Sequence, residues 1–180
     1  GDSSKPVIFL FPGTCCLYSS FEHVLDGLHS YFYTVTVSYD GFDPNEKTEF
    51  YSMEDECEKI EQEIKKKYDG RIKAAYGCSL GGSFVSLLIQ RKRIHIEHGI
   101  IGSSDMDEAG NLVAKIQASM VVPFMYKMVH TGALPKFMQK KLNKTDEAKK
   151  ELYNGFLNMF GIGKGGSPWI TKQSIYNQFY

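Results

Sequence analysis

Four short strand-like runs recur along the first 104 residues, each separated from the next by a stretch of helical period, and this alternation constrains the fold more than any other feature. VIFLF (7–11) is a continuous apolar run, the pattern of a strand buried on both faces. YTVTVSYD (33–40) is rich in β-branched and aromatic residues, and IKAAYGC (72–78) and EHGIIGSS (97–104) repeat the signal. Between the first two, SSFEHVLDGLHSYF (19–32) places Phe21, Val24, Leu25 and Leu28 at helical spacing, with Ser19 or Ser20 as N-cap. SMEDECEKIEQEIKKKYDG (52–70) carries Met53, Cys57, Ile60 and Ile64 on one stripe. Ser52 and Asp55 form a capping-box pattern there, with acids early and lysines late, as the helix dipole favours. SLGGSFVSLLIQRK (79–92) reads as the third helix. The order β-α-β-α-β-α-β predicts an α/β fold of three layers. A mostly parallel sheet carries helices on both faces, joined by right-handed crossovers.

The pattern changes after residue 106. Helices are expected near 111–130, 133–142 and 145–160, with no convincing strand, so residues 1–106 read as an α/β core and residues 107–180 as a helical cap or lid insert. Six of the seven methionines fall between residues 106 and 159. The chain is neutral overall, which implies no bulk attraction to nucleic acid. The balance hides an asymmetry, −7 over residues 1–110 and +7 over 111–180. The lysines behind that +7 read as a solvated face, or as an attraction for anionic substrates or an acidic lipid surface. GIGKGG (161–166) lacks the GxxxxGK[ST] spacing of a phosphate loop and no strand precedes it. No signal peptide or stable membrane span is read from the sequence. Cys15, Cys16, Cys57 and Cys78 match no zinc or CxxC spacing and read as reduced thiols of a cytoplasmic protein.

GCSLG (77–81) fits G-x-S-x-G, and here the context gives the pattern meaning: a predicted strand ends at Cys78 and a predicted helix starts near Ser79. The glycines permit a sharp turn that lifts the Ser79 hydroxyl above the sheet. The N–H groups of Leu80 and Gly81 then lie at a helix N-terminus, where developing negative charge is favoured.

With FPGT (11–14), SYDGF (38–42) and GCSLGG (77–82) in this order, the chain resembles the α/β-hydrolase family over about residues 5–105, with a looser similarity to a family cap domain beyond. Pro12 stands where the family pattern has histidine. The resemblance implies that Ser79 is the nucleophile, and that the backbone N–H groups of Thr14 and Leu80 form the oxyanion hole. Asp40 is expected to order its turn. In the family, an acid and then a histidine follow the nucleophile after later strands. Those strands are not found before Tyr180, so the core's C-terminal strands, with the base and acid, are expected to lie outside these residues. Asp105, at the end of the fourth strand, is a reserve acid.

The five histidines add little by position. His95 and His98 precede or open the fourth strand, at the end opposite Ser79, and His29 lies near the far end of the first helix. His23 falls close to the sheet's upper rim and His130 in the insert, where it could hang over the site; each reads first as an exposed or capping histidine. Met- and Phe-rich segments of the insert fit either a flexible apolar pocket for an acyl chain or helix-to-helix packing. The expected function is that of a serine hydrolase acting on a carboxylic ester or thioester through an acyl-enzyme on Ser79. A small apolar acyl compound is the expected substrate, and neither a cofactor nor a metal is called for. A non-catalytic protein binding a small ligand on the same scaffold is the alternative.

Overall fold

The computed structural model describes residues 1–104, 111–160 and 165–179. Four strands, β1 (Val7–Phe11), β2 (Tyr33–Thr36), β3 (Arg71–Cys78) and β4 (His95–Gly102), form one sheet in the order β2-β1-β3-β4. Every pairing is parallel, with Phe9 opposite Val35 and Ala75, and Gly77 opposite Phe11 and Ile101. Three helices connect the strands: α1 (Glu22–His29), α2 (Met53–Tyr68) and α3 (Leu80–Arg91). The chain moves one way from β1 to β2 and the other way to β3 and β4. Right-handed crossovers therefore put α1 on one face and α2 with α3 on the other.

Side-chain alternation in β1 records the two layers. Ile8 and Leu10 join Phe21 and Ala74 in a small core that Leu25 and Leu28 of α1 cover. Phe9 and Phe11 face the larger core, with Cys57, Ile60 and Ile64 of α2 and Phe84, Val85 and Leu88 of α3. The stripe read from 52–70 is thus the buried face of α2, with Met53 packed at its margin.

Local details differ from the sequence reading. The chain enters α1 through a short 3₁₀ turn at Tyr18–Phe21, and neither Ser19 nor Ser20 caps it; Ser20 is buried beside Phe21 instead. Burial of Phe21 sets the entry here, overriding capping preference. The β2 ladder stops at Thr36, after which Val37 donates one further bond to Leu10 and the chain turns at Asp40–Gly41. β4 begins two residues earlier than expected, because the His95 N–H bonds the Gly70 carbonyl.

Beyond β4 come α4 (Asn111–Thr131), α5 (Lys136–Leu142), α6 (Glu147–Asn158) and α7 (Lys172–Phe179). The first three answer the helices expected there; α7 was not anticipated. Ala118, Val122 and Val129 of α4, with Ile170 and Ile175, belong to the same apolar core as Phe84 and Phe11. By length and composition alone, Leu112–Thr131 is long and apolar enough to cross a bilayer, where the sequence reading found no span. Its exposed residues include Leu112, Val113, Ile116 and Met120.

Candidate active site

Ser79 sits between the last residue of β3 and the first of α3. Its backbone takes φ 54° and ψ −124°, a conformation that L-residues avoid at a cost of about 1–3 kcal/mol. Bonds on both sides hold it there. The Ser79 N–H donates to the Gly102 carbonyl at 2.9 Å, and the Ser79 carbonyl accepts from Gly82 N at 2.8 Å and Ser83 N at 3.3 Å. The residue is exposed at the carboxyl end of the sheet.

The glycines around it are required by contact. A Cβ on Gly77 would stand 2.0 Å from the Gly81 carbonyl oxygen, and one on Gly81 would stand 2.1 Å from the Phe11 carbonyl oxygen. A Cβ on Gly82 would meet the Ser104 Cβ at 2.6 Å. Only backbone without side chains lets β3, α3 and the end of β1 approach this closely.

That approach brings the loop after β1 to the serine. A point at the Cβ position of Gly13 lies 3.4 Å from the Cys78 carbonyl and 3.5 Å from the Ser79 Cβ. Strand order changes direction between β1 and β3, so this is also the crevice where open parallel sheets present ligand sites. Two N–H groups at its rim have no acceptor among the described residues. Leu80 opens α3, and the first N–H groups of a helix have no partner within it. No acidic residue lies in that first turn to offset the helix dipole. Thr14 is half-buried and its N–H donates to no described acceptor, whereas Cys15 N–H and Cys16 N–H are bonded to Gln178 Oε1 and the Gly13 carbonyl.

Two residues that sequence reasoning missed hold this loop. The Tyr39 hydroxyl, buried, donates to the Pro12 carbonyl at 3.0 Å. The Gln178 side chain accepts from Cys15 N–H at 2.8 Å. A signal for α7 was present, because Thr171 has a polar residue three positions on and Ile175 follows. The Thr171 hydroxyl does accept from the Ser174 N–H, at 2.9 Å. No signal pointed to the partners.

Cys15 and Cys16 are buried beside Ser79's neighbours, and burial pushes both thiols up, Cys16 to about 12 with Cys78 adding to the effect. Neither is a thiolate nucleophile near neutral pH. All four cysteines are unpaired.

Asp40, expected to order its turn, faces α2 instead. Its carboxylate meets Lys59 Nζ at 2.5 Å and its N–H reaches Glu56 Oε2 at 3.4 Å. Ligand atoms of Asp40, Asp55 and Glu56 lie within 4.8 Å of one another, a spacing a cation could use, but the Lys59 ammonium pairs with all three carboxylates.

All five histidines are described, and no described contact joins any of them to Ser79. His95 pairs in register with Arg71, seven residues before Cys78, or about 23 Å away along the strand. His98 lies against Glu97 and His29 bonds Thr34. His23 is exposed on α1. The His130 ring lies 5.0 Å from that of Tyr126, and its Nδ1 is buried with no partner among the described residues. Asp105 and the GIGK stretch (161–164) lie outside the described residues.

No family model matches this sequence, and no curated protein matches it. Solved structures do. An α/β-hydrolase family protein from Desulfitobacterium hafniense superposes with TM-score 0.75 at 16% identity, over 99% of this chain and 68% of its own. The chain has the α/β-hydrolase fold. A thermophilic esterase from Thermogutta terrifontis (TM-score 0.69, 14% identity) matches 97% of this chain and 63% of its own. MenH from S. aureus (TM-score 0.68, 12% identity) matches 98% and 67%. The chain therefore spans about two thirds of the length of these α/β-hydrolase-fold structures.

Proposed function

We propose that this protein is a serine hydrolase that cleaves a carboxylic ester or thioester. The observation that carries the reading is Ser79, held at φ 54° on the strand-to-helix turn, exposed, with the Gly13 loop packed against it. In the proposed reaction Ser79 Oγ attacks the acyl carbonyl carbon and its proton passes to a base. The carbonyl oxygen becomes an oxyanion facing the N–H groups of Thr14 and Leu80. Collapse expels the protonated alcohol or thiol and leaves an acyl-enzyme on Ser79, which water then hydrolyses. No step calls for a cofactor or metal. The names of the matched esterase and hydrolases support the reaction class, and the Met- and Phe-rich helices support an apolar acyl group.

The base and acid belong, in this proposal, to chain outside residues 1–180. Two features support this: no described contact joins any of the five histidines to Ser79, and among the described residues β4 is an edge strand with Ile100 and Ile101 47% and 41% exposed. A domain boundary near residue 106, with a cap after it, is part of the same reading. The free thiols fit a reducing compartment, which supports a cytoplasmic location.

The experiment is turnover of short p-nitrophenyl acyl esters by the protein with its full complement of strands. Ser79→Ala is expected to lower turnover at least ~10³-fold with the circular dichroism spectrum unchanged. Equal turnover by the variant would remove Ser79 from the chemistry. Residues 1–180 alone are expected to turn over these esters poorly or not at all. Rapid turnover by them would mean that one of the five histidines is the base.

A further inference from the structure

α7 does more than fill space beside α4. Three of its polar side chains, Ser174, Asn177 and Gln178, lie at i, i+3 and i+4 on one face and bond backbone more than 120 residues earlier. The Ser174 Oγ accepts from Phe50 N–H at 3.2 Å, and Asn177 Nδ2 donates to the Phe50 carbonyl at 2.7 Å. These two pin the segment that follows the Asp40–Gly41 turn. A Cβ on Gly41 would stand 2.6 Å from Ser174 Oγ, so the helix is pressed onto that turn. Gln178 reaches the other loop, the one beside Ser79, and both it and Cys15 are buried.

Cys15 has φ 58°, a left-handed conformation unusual for a cysteine. Its N–H is the one that follows Thr14, and the side-chain Oε1 of Gln178 accepts it at 2.8 Å. The amide of Gln178 cannot be turned round, because the other orientation would set N–H against N–H. Its Nε2 is left buried without a partner among the described residues, so the side chain holds its place through the Cys15 bond. The Gln178 bond holds the Thr14–Cys15 peptide, and the Cys16 N–H bond holds the Gly13 carbonyl, which shares its peptide with Thr14 N–H; Thr14 N–H itself donates to no acceptor among the described residues.

We infer that Gln178 is a positioning residue for the oxyanion loop: by holding Cys15 N–H it aims the adjacent Thr14 N–H toward the oxygen that forms at Ser79. This rests on the reading of Ser79, Thr14 and Leu80 given above. It makes the competence of a loop at the start of the chain depend on a helix near residue 178.

The test compares wild type, Gln178→Met, which keeps the length and loses the acceptor, and Gln178→Glu, which keeps an acceptor. Amide exchange at Cys15, followed by NMR, is expected to accelerate about tenfold or more in Gln178→Met while β1 and β3 amides keep their protection. Gln178→Glu is expected to restore it. In parallel, labelling of Ser79 by a fluorophosphonate, in which Oγ bonds phosphorus, fluoride departs and the hydroxyl proton is taken up by buffer, is followed by mass spectrometry. Its maximal rate is expected to fall about tenfold in Gln178→Met with the half-saturating probe concentration unchanged. Unchanged Cys15 exchange would overturn the proposal, as would faster exchange with an unaltered labelling rate. Global loss of protection in Gln178→Met with no rescue by Gln178→Glu would assign Gln178 to stability alone and also overturn it. With the full complement of strands present, a wild-type protein that is never labelled would overturn the Ser79 reading instead, and the exchange data alone would then decide whether Gln178 holds the loop.

Discussion

At the scale of single residues, the site depends on where side chains are missing. Ser79 bears an unfavourable φ that is tolerable only because Gly77, Gly81 and Gly82 let three backbone segments meet. Gly81→Ala is the sharpest probe. Its new methyl would lie 2.1 Å from the Phe11 carbonyl oxygen and 2.9 Å from that of Pro12, both backbone atoms that cannot swing away. The expected cost is about 3 kcal/mol or more, read as a lowered urea midpoint, with loss of any Ser79 reactivity. A midpoint within error of wild type would mean that the elbow is looser than described. The motif itself was legible, since small residues on both sides of one serine between a strand and a helix have few other uses. Tyr39 and Gln178 were not legible, because a tyrosine and a glutamine carry no mark of which distant carbonyl or N–H they will meet.

At the scale of elements, α2 shows how far local chemistry reaches. Ser52 Oγ accepts from Asp55 N–H at 3.1 Å, as its spacing implies, and the helix closes on Asp69 in the left-handed region. The Asp55 carboxylate, however, turns to Lys59 and does not complete the box. Glu56 is the element's anomaly. Only 3% of it is exposed; burial, with Asp40 nearby, raises its pKa from 4.5 to about 7 against the pull of Lys59. A carboxyl raised on folding adds stability below its unfolded pKa and loses that contribution as pH rises through the folded value. Wild-type stability should therefore decline from about pH 4.5 to about pH 7 relative to Glu56→Gln, by roughly 1–3 kcal/mol. Denaturant midpoints of both proteins at pH 5 and pH 8 measure it. A difference between them that does not change with pH would show that Glu56 is ionised throughout.

At the scale of the whole molecule, sheet and later helices share one core. Phe84 of α3 lies at its centre, fully buried, stacked on Tyr39 at 4.6 Å and in ring contact with Phe11 and Phe50 at 6.3 Å each. Those partners come from β1, from the turn after β2 and from the segment that α7 clamps. Phe84→Ala is expected to cost about 3–5 kcal/mol and to lower the melting of sheet and α4–α7 helices together. Two separate transitions, with the α4–α7 helices unaffected, would show that the helices have a core of their own. Among the described residues β4 is an edge strand of the sheet, and the chain spans about two thirds of the length of the matched structures.

The sequence by itself determined the period of each segment, the parallel α/β architecture that follows from alternating them, and the serine turn. Those are local: they depend on residues within a helical turn or a strand of one another. Only the tertiary structure decided where β2 stops, that Phe21 and not a serine governs entry to α1, that residues 172–179 form a helix, and that this helix clamps the loop beside Ser79. Each of these is settled by burial or by a hydrogen bond between residues far apart in sequence. The energy of such contacts depends on which surfaces the fold brings together, and that information is absent from any short window of the chain.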